Sequence, residues 1–299
     1  PEKRYSRVLM QQGRLQLDSD WNEHVDIQNY LIQTQLQDVI GLTGIPAAQE
    51  NATAFKIERN GHDFSISPGR IYVDGILCNL DYPENGNQLT YKTQKNYPDA
   101  PKFDNVLDDK GNIKPGTYLV YLDVWQRHVT AIEDPEIREV ALNGSDTATR
   151  IKTIVQVRLL LVNKSIVNEK INKEELQKKL DDHYQHSSQI TAAKIDNNVI
   201  SDNHLYRIEI HNPGKISQAT FKWSRDNGTV VSAVESIKDN VIKISQKSQL
   251  WQSSQPDQWI EIIDEAHELA GKPGTLVRLE QVFENQLIVD KASVRVNQD

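Results

Sequence analysis

The chain has 299 residues, enough for one large domain or two ordinary ones, with 37% hydrophobic and 25% charged residues, a soluble globular composition. Thirty-four Lys and Arg against 42 Asp and Glu leave a net charge of −8, which argues against a nucleic-acid partner, since such a partner needs a basic face. One cysteine, Cys78, excludes an intrachain disulfide and a Cys-rich zinc site.

No apolar run approaches the roughly 20 residues of a membrane helix. The opening PEKRYSR lacks the layout of a signal peptide and begins without an initiator Met, so the chain reads as a segment of a longer one. Leu15 and Leu17 alternate with Arg14 and Gln16, which predicts a short strand. A helix is predicted from Trp21 to Ile40, with Asp20 as N-cap, Glu23 completing a capping box, and Gly41 just past its end. Trp21, Val25, Leu31, Ile32, Leu36 and Val39 recur at helical spacing. That stripe packs either on the chain's own sheet or on a neighbouring subunit.

Period-two patterning follows. Phe64 and Ile66, Ile71 and Val73, and Ile76–Leu80 read as strands, with Pro68-Gly69 and Asp74-Gly75 as turns. Leu89–Thr93 is a further candidate strand, and 94–116 reads as a long loop. TYLVYLDVW (117–125), continuing through about 131, is the most strand-like run and is expected to be central. Residues 133–150 are irregular around Asp134-Pro135 and Asn143-Gly144. Ile151–Val162 is a second long strand.

Residues 163–204 are polar, with one surface helix over Asn172–His186, and read as an insertion. Strands are then predicted at 205–211, 219–224, 229–234, 240–245, 259–264, 275–282 and 286–290, the last of them forming a barrel-like module. The fold expected is mainly β, with sandwich or barrel-like modules, an N-terminal amphipathic helix and a small helical insertion. The predicted divisions are 1–41, 42–162, 163–204 and 205–299.

Catalytic signatures are sparse. His183 and His186 are three apart on the polar inserted helix, which favours a solvated face over a metal site. Neither a nucleophile elbow nor a glycine-rich phosphate loop occurs, and Cys78 lies in an apolar strand. Asp123, Glu133, Asp134 and Glu136 cluster near Trp125, as a glycosidase's carboxylate pair beside an aromatic platform would. Turn and ion-pair roles explain them more simply. In FKWSRDNGTVV (221–231), Phe221 and Trp223 share one strand face, while Arg225 and Asp226 precede an Asn227-Gly228 turn. Arg127, His128 and Arg138 against Glu133, Glu136 and Glu139 form a dense polar set suited to a core network or a subunit interface.

Three stretches carry a resemblance: YSRVLMQQGRLQLDSDWNE (5–23), YLVYLDVWQRHVTAIEDPEIREVAL (118–142) with GSDTATR (144–150), and FKWSRDNGTVV, with YRIEIH (206–211) between them in order. Together they resemble a domain of formally unknown function found in bacterial gene clusters for phage-tail-like contractile injection systems. Residues 163–204 are longer and more polar than that pattern. The resemblance implies a structural subunit of the baseplate or a baseplate extension, without enzyme activity or cofactor. Its partners would be other baseplate subunits, copies of itself in a symmetric ring, and membrane-docking neighbours. It would be cytoplasmic, within an assembled particle. A glycan-binding or glycan-cleaving tail module is the alternative. The interface residues expected are Arg4, Tyr5, Arg7, Trp21, Arg127, Glu136, Arg138, Arg225 and Asp226.

Overall fold

The computed structural model describes residues 3–47, 53–82, 86–162, 173–184, 206–225, 228, 230–245 and 256–294. The fold is mainly β with an N-terminal helix, as the patterning predicts. The chain divides into two compact units, Pro1–His128 with Ile151–Leu161, and Val129–Arg150 with Val162–Asp299.

In the first unit, helix α1 (Asp18–Ile40) starts three residues earlier than predicted. Asp20 is not the N-cap. It sits one turn in, and its carboxylate accepts the backbone N–H of Leu17 at 3.3 Å. Asp18 and Asp20 place negative charge on the first turn, where exposed N–H groups favour it. Gly41 ends the helix at φ 85°, its N–H donating to the Gln37 carbonyl. The strand expected at Leu15–Leu17 is absent: the segment turns at Gln11–Arg14 and runs extended and exposed into the helix.

Strand β1 (Thr43–Gly44) pairs with β4 (Gly69–Val73), which forms a hairpin with β5 (Ile76–Leu80). Asp74 and Gly75 both have positive φ, the geometry a two-residue hairpin turn requires. A Cβ at Gly75 would lie 2.5 Å from the Gln33 carbonyl oxygen, so the hairpin tip abuts α1 backbone to backbone. Gln37 secures it, donating to the carbonyl and the carboxylate of Asp74. Strands β2 (Ile57–Asn60) and β3 (Asp63–Ile66) form a second hairpin. The long strands β6 (Thr117–Val129) and β7 (Arg150–Val162) are hydrogen-bonded neighbours. Val155 and Val157 of β7 join two apolar clusters, one with Ile71 and Cys78, the other with Ile66 and Leu89.

Leu89–Thr93 is not a strand. Thr90 and Thr93 hydroxyls close a helical turn there, and one isolated bridge from Ser65 to Thr90 is all that pairs. The "loop" beyond it is packed. Gln94, Tyr97, Ala100 and Val106 are buried, and Ala100–Phe103 form the short helix α2.

In the second unit, residues 133–150 are irregular as expected, with short helical turns at 135–137 and 140–142 and a positive-φ pair at Asn143-Gly144. Helix α3 (Lys173–Tyr184) lies within the predicted insertion, whose other residues fall outside the described set. Strands β8 (Arg207–Asn212) and β9 (Thr220–Ser224) pair antiparallel. A five-stranded sheet follows, in the order β10 (Val234–Lys238), β11 (Val241–Ile244), β14 (Gln286–Val289), β13 (Thr275–Val282), β12 (Trp259–Ile262), and it matches the barrel-like expectation as a half barrel. Its core is Ile242, Ile244, Val277, Leu279, Leu287 and Val289. Of the strand predicted at 229–234, residue 229 lies outside the described residues and 230–233 are not strand; β10 begins at Val234, its register against β11 set by the Asp239-Asn240 turn with Asp239 at φ 54°.

Candidate interaction surfaces

Three of the four carboxylates considered for glycosidase chemistry are engaged within the fold. Asp123 pairs with Arg158 at 2.9 Å. Glu133 accepts the Thr130 N–H, and Asp134 caps the helical turn through the Glu136 N–H. Among the described residues, no three metal-ligating side chains come together, and no helix is long and apolar enough to cross a membrane. Burial pushes the Cys78 thiol up, away from the reactive thiolate.

The polar site of the first unit is a closed clasp. The side-chain amide of Gln94 donates to the Val157 carbonyl and accepts the Val157 N–H, as a neighbouring strand would. Two residues on, the Leu159 N–H donates to Asp104. Asp104, with its side chain 2% exposed, also accepts Tyr91 Oη at 2.7 Å, Tyr97 Oη at 2.5 Å and Arg158 Nε at 3.1 Å. Burial, then the adjoining carboxylate, drives both phenols far above the ordinary tyrosine range, so they remain donors. Every Asp104 bond points inward. The cluster secures the packed loop along β7 and presents no open position for a ligand.

The surfaces are more telling. Helix α1 contains no buried residue over its 23 residues. Trp21, Val25, Ile32 and Val39 fall on one stripe, with Trp21 60%, Ile32 53% and Val39 84% exposed. Segment 3–10 runs beside the helix, Gln28 donating to the Ser6 carbonyl, and exposes Tyr5, Leu9 and Met10. Arg4, Tyr5, Arg7 and Trp21 are all exposed.

The other expected interface residues separate. Arg127 is buried and leaves the surface set. Glu136 is exposed, and Arg138 is half-buried, donating to the Gly144 carbonyl and so holding the irregular stretch closed. That stretch exposes Val140 and Leu142. Arg225 is exposed at the end of β9, and Asp226 lies outside the described residues.

Hairpin β8–β9 is turned inside out. Ile208 faces Trp223 across the pair and Ile210 faces Phe221. This face points to solvent, with Phe221 65% and Trp223 62% exposed and Tyr206 tilted against Trp223 at 5.9 Å. The opposite face carries Glu209, Lys222 and buried His211. Lys222 binds both carboxylate oxygens of Glu261 on β12 and lies 3.4 Å from Glu209, while Arg207 pairs with Glu209. Burial alone would raise the Glu209 pKa, but the hydrogen bond and charge of Arg207, with Lys222, hold the carboxyl below its ordinary value. Sequence reading placed Phe221 and Trp223 on one face without saying which way it points. The inward ions, contributed from 39 residues away, decide that.

A model of a family of unknown function, DUF6519, matches residues 1–201, about two thirds of the chain, and the chain belongs to that family. Neither curated proteins nor solved structures yield a significant match.

Proposed function

We propose that this protein is a structural subunit of the baseplate, or a baseplate extension, of a bacterial phage-tail-like contractile injection system. Its neighbours would be other baseplate subunits and further copies of itself in a symmetric ring, inside a cytoplasmic particle that docks at a membrane. The observation that carries this reading is α1, a 23-residue helix with no buried residue and an exposed apolar stripe, continuous with an exposed apolar segment. A helix gains most of its stability from packing one face, so this face belongs against another chain. The motif resemblance supplies the kind of assembly, and the acidic chain with its locally engaged carboxylates suits a structural role.

The test is incorporation. Deleting residues 1–17, or the double change Arg4→Ala with Tyr5→Ala, is expected to leave circular dichroism unchanged and to remove the protein from assembled particles. Loss of fold, or unchanged incorporation, overturns the reading of this segment as an interface. The exposed Tyr206–Trp223 pair favours one alternative, a glycan-binding tail module. Quenching of tryptophan fluorescence by peptidoglycan fragments, lost in Trp223→Ala, would support that reading instead.

A further inference from the structure

Two of the apolar surfaces left uncovered among the described residues are of complementary kinds. One is a helix stripe, the other a two-stranded sheet face, and helix on sheet is one of the few ways such faces are buried. The hairpin cannot bury its aromatic face by rolling over, because Lys222 would be pulled from Glu261 and His211 from its buried position. The charges are also complementary. Helix α1 carries Asp18, Asp20, Glu23, Asp26 and Asp38 and no Lys or Arg. On the hairpin, Arg207, Glu209 and Lys222 belong to the ion-paired inner face, which leaves Lys215 in the connecting segment and Arg225 at the end of β9 as its exposed basic residues. The acidic first turns of α1 surround Trp21, the aromatic residue best placed to meet Phe221 and Trp223.

We propose that α1 of one copy docks across the aromatic face of hairpin β8–β9 on the next copy. Trp21, Val25 and Ile32 lie on Ile208, Phe221 and Trp223, and the helix carboxylates face Arg225. The two patches differ and lie in different units of the chain, so the contact is heterologous. Repeated around an axis, such a contact builds a ring or a filament rather than a two-fold dimer. The proposal rests on the assembly reading above and adds which surfaces meet.

The experiment uses the full chain in two single-cysteine versions of different size, Ile32→Cys and Ile208→Cys, with buried Cys78 changed to Ala in both. A short bismaleimide is expected to give a mixed-size dimer when the two are combined and little product from either alone. A cross-link confined to one chain in the Ile32→Cys, Ile208→Cys double variant, or an Ile208–Ile208 product, overturns the proposal. Sedimentation velocity gives the second readout. Trp223→Asp and, independently, Trp21→Asp should each weaken self-association at least about 30-fold, as loss of a central aromatic anchor does. If one variant fails to fold, the other still decides. Wild-type association by both variants overturns this contact and leaves the structural reading standing. A chain that stays monomeric alone and when mixed with the particle's other subunits overturns both. Peptidoglycan fragments that bind the hairpin face without disturbing association overturn the proposal in favour of the glycan reading.

Discussion

The clasp on β7 and the hairpin β8–β9 use the same chemistry to opposite ends. Each holds a basic side chain between carboxylates: Arg158 between Asp104 and Asp123, Lys222 between Glu261 and Glu209. In the clasp the polar groups lie beneath a packed loop, and the apolar clusters of β7 lie in the core. In the hairpin the ions take the inner position and the aromatic residues are left outside. A buried ion pair is weak evidence for stability in general, since an apolar pair of similar volume often does as well. What differs is how many donors each carboxylate serves. Asp104 accepts from two phenols, a guanidinium and a backbone N–H, so no apolar side chain can replace it. Among the described residues, Glu261 accepts from Lys222 and the Gly274 N–H. The clasp therefore holds a fold together, whereas the hairpin's ions chiefly decide which face looks outward.

Breaking the clasp should cost most. Asp104→Ala strands two tyrosines, Arg158 and the Leu159 N–H together, and is expected to destabilise the first unit by about 3–5 kcal/mol. Urea unfolding followed by tyrosine fluorescence will measure it. A loss below about 1 kcal/mol would mean that the loop is not held by this carboxylate.

Gly75 comes next. Its φ of 74° and the nearby Gln33 carbonyl both resist a side chain. Gly75→Ala should cost about 2 kcal/mol in thermal or urea unfolding. Because the strain falls on the hairpin–helix contact, exchange of α1 amides should rise in the same variant.

The hairpin offers the sharpest contrast with the clasp. Lys222→Ala leaves Glu261, 22% exposed, and Glu209, 37% exposed, without their shared cation and should cost about 1–3 kcal/mol. The double change Lys222→Met with Glu261→Leu should recover most of that, ending within about 1.5 kcal/mol of the parent. Were the double variant as damaged as Asp104→Ala, the two regions would not differ in the way described.

Much of this architecture was legible. The Asp74-Gly75 turn, the runs at 117–125 and 151–162, and the α1 stripe all signal themselves locally, through turn residues that accept positive φ and through periodicity. Three features did not. Leu89 and Tyr91 alternate like strand residues, yet the Thr90–Thr93 hydroxyls divert the backbone into a helical turn. The residues after them look like loop because they are polar, but Gln94 and Asp104 are polar in order to stand in for a missing strand beside β7. The orientation of β8–β9 was hidden because alternation defines two faces without saying which is inside, and Glu261 is distant in sequence. For the candidate surfaces, Arg4, Tyr5, Arg7 and Trp21 are exposed, but periodicity marks an apolar stripe without saying what covers it. The burial of Arg127 was not legible, since a lone charge within an alternating strand reads the same whether it is buried or exposed.

The smallest expected effect tests the inner face of the hairpin through pH. His211 is buried, and its Nδ1 has no hydrogen-bond partner among the described residues. Loss of solvent lowers its pKa from 6.5; the carboxylate of Glu261 pulls it back up and the charge of Lys222 adds to the fall. The folded chain therefore takes up this proton less readily than the unfolded chain. The stability associated with neutral His211 is fully present above about pH 6.5 and drains away as the pH falls from there through the lower folded-state value. Glu209 adds a second loss on the same side, below about pH 4.5, as its depressed carboxyl is protonated. In His211→Phe the first of these declines should vanish while the second remains, giving urea midpoints that stay flat between about pH 6.5 and 5 where the parent's fall. Should the parent's midpoint rise on acidification through that window, His211 would be gaining rather than losing a proton partner on folding, and the inward-facing assignment of this strand face would be wrong.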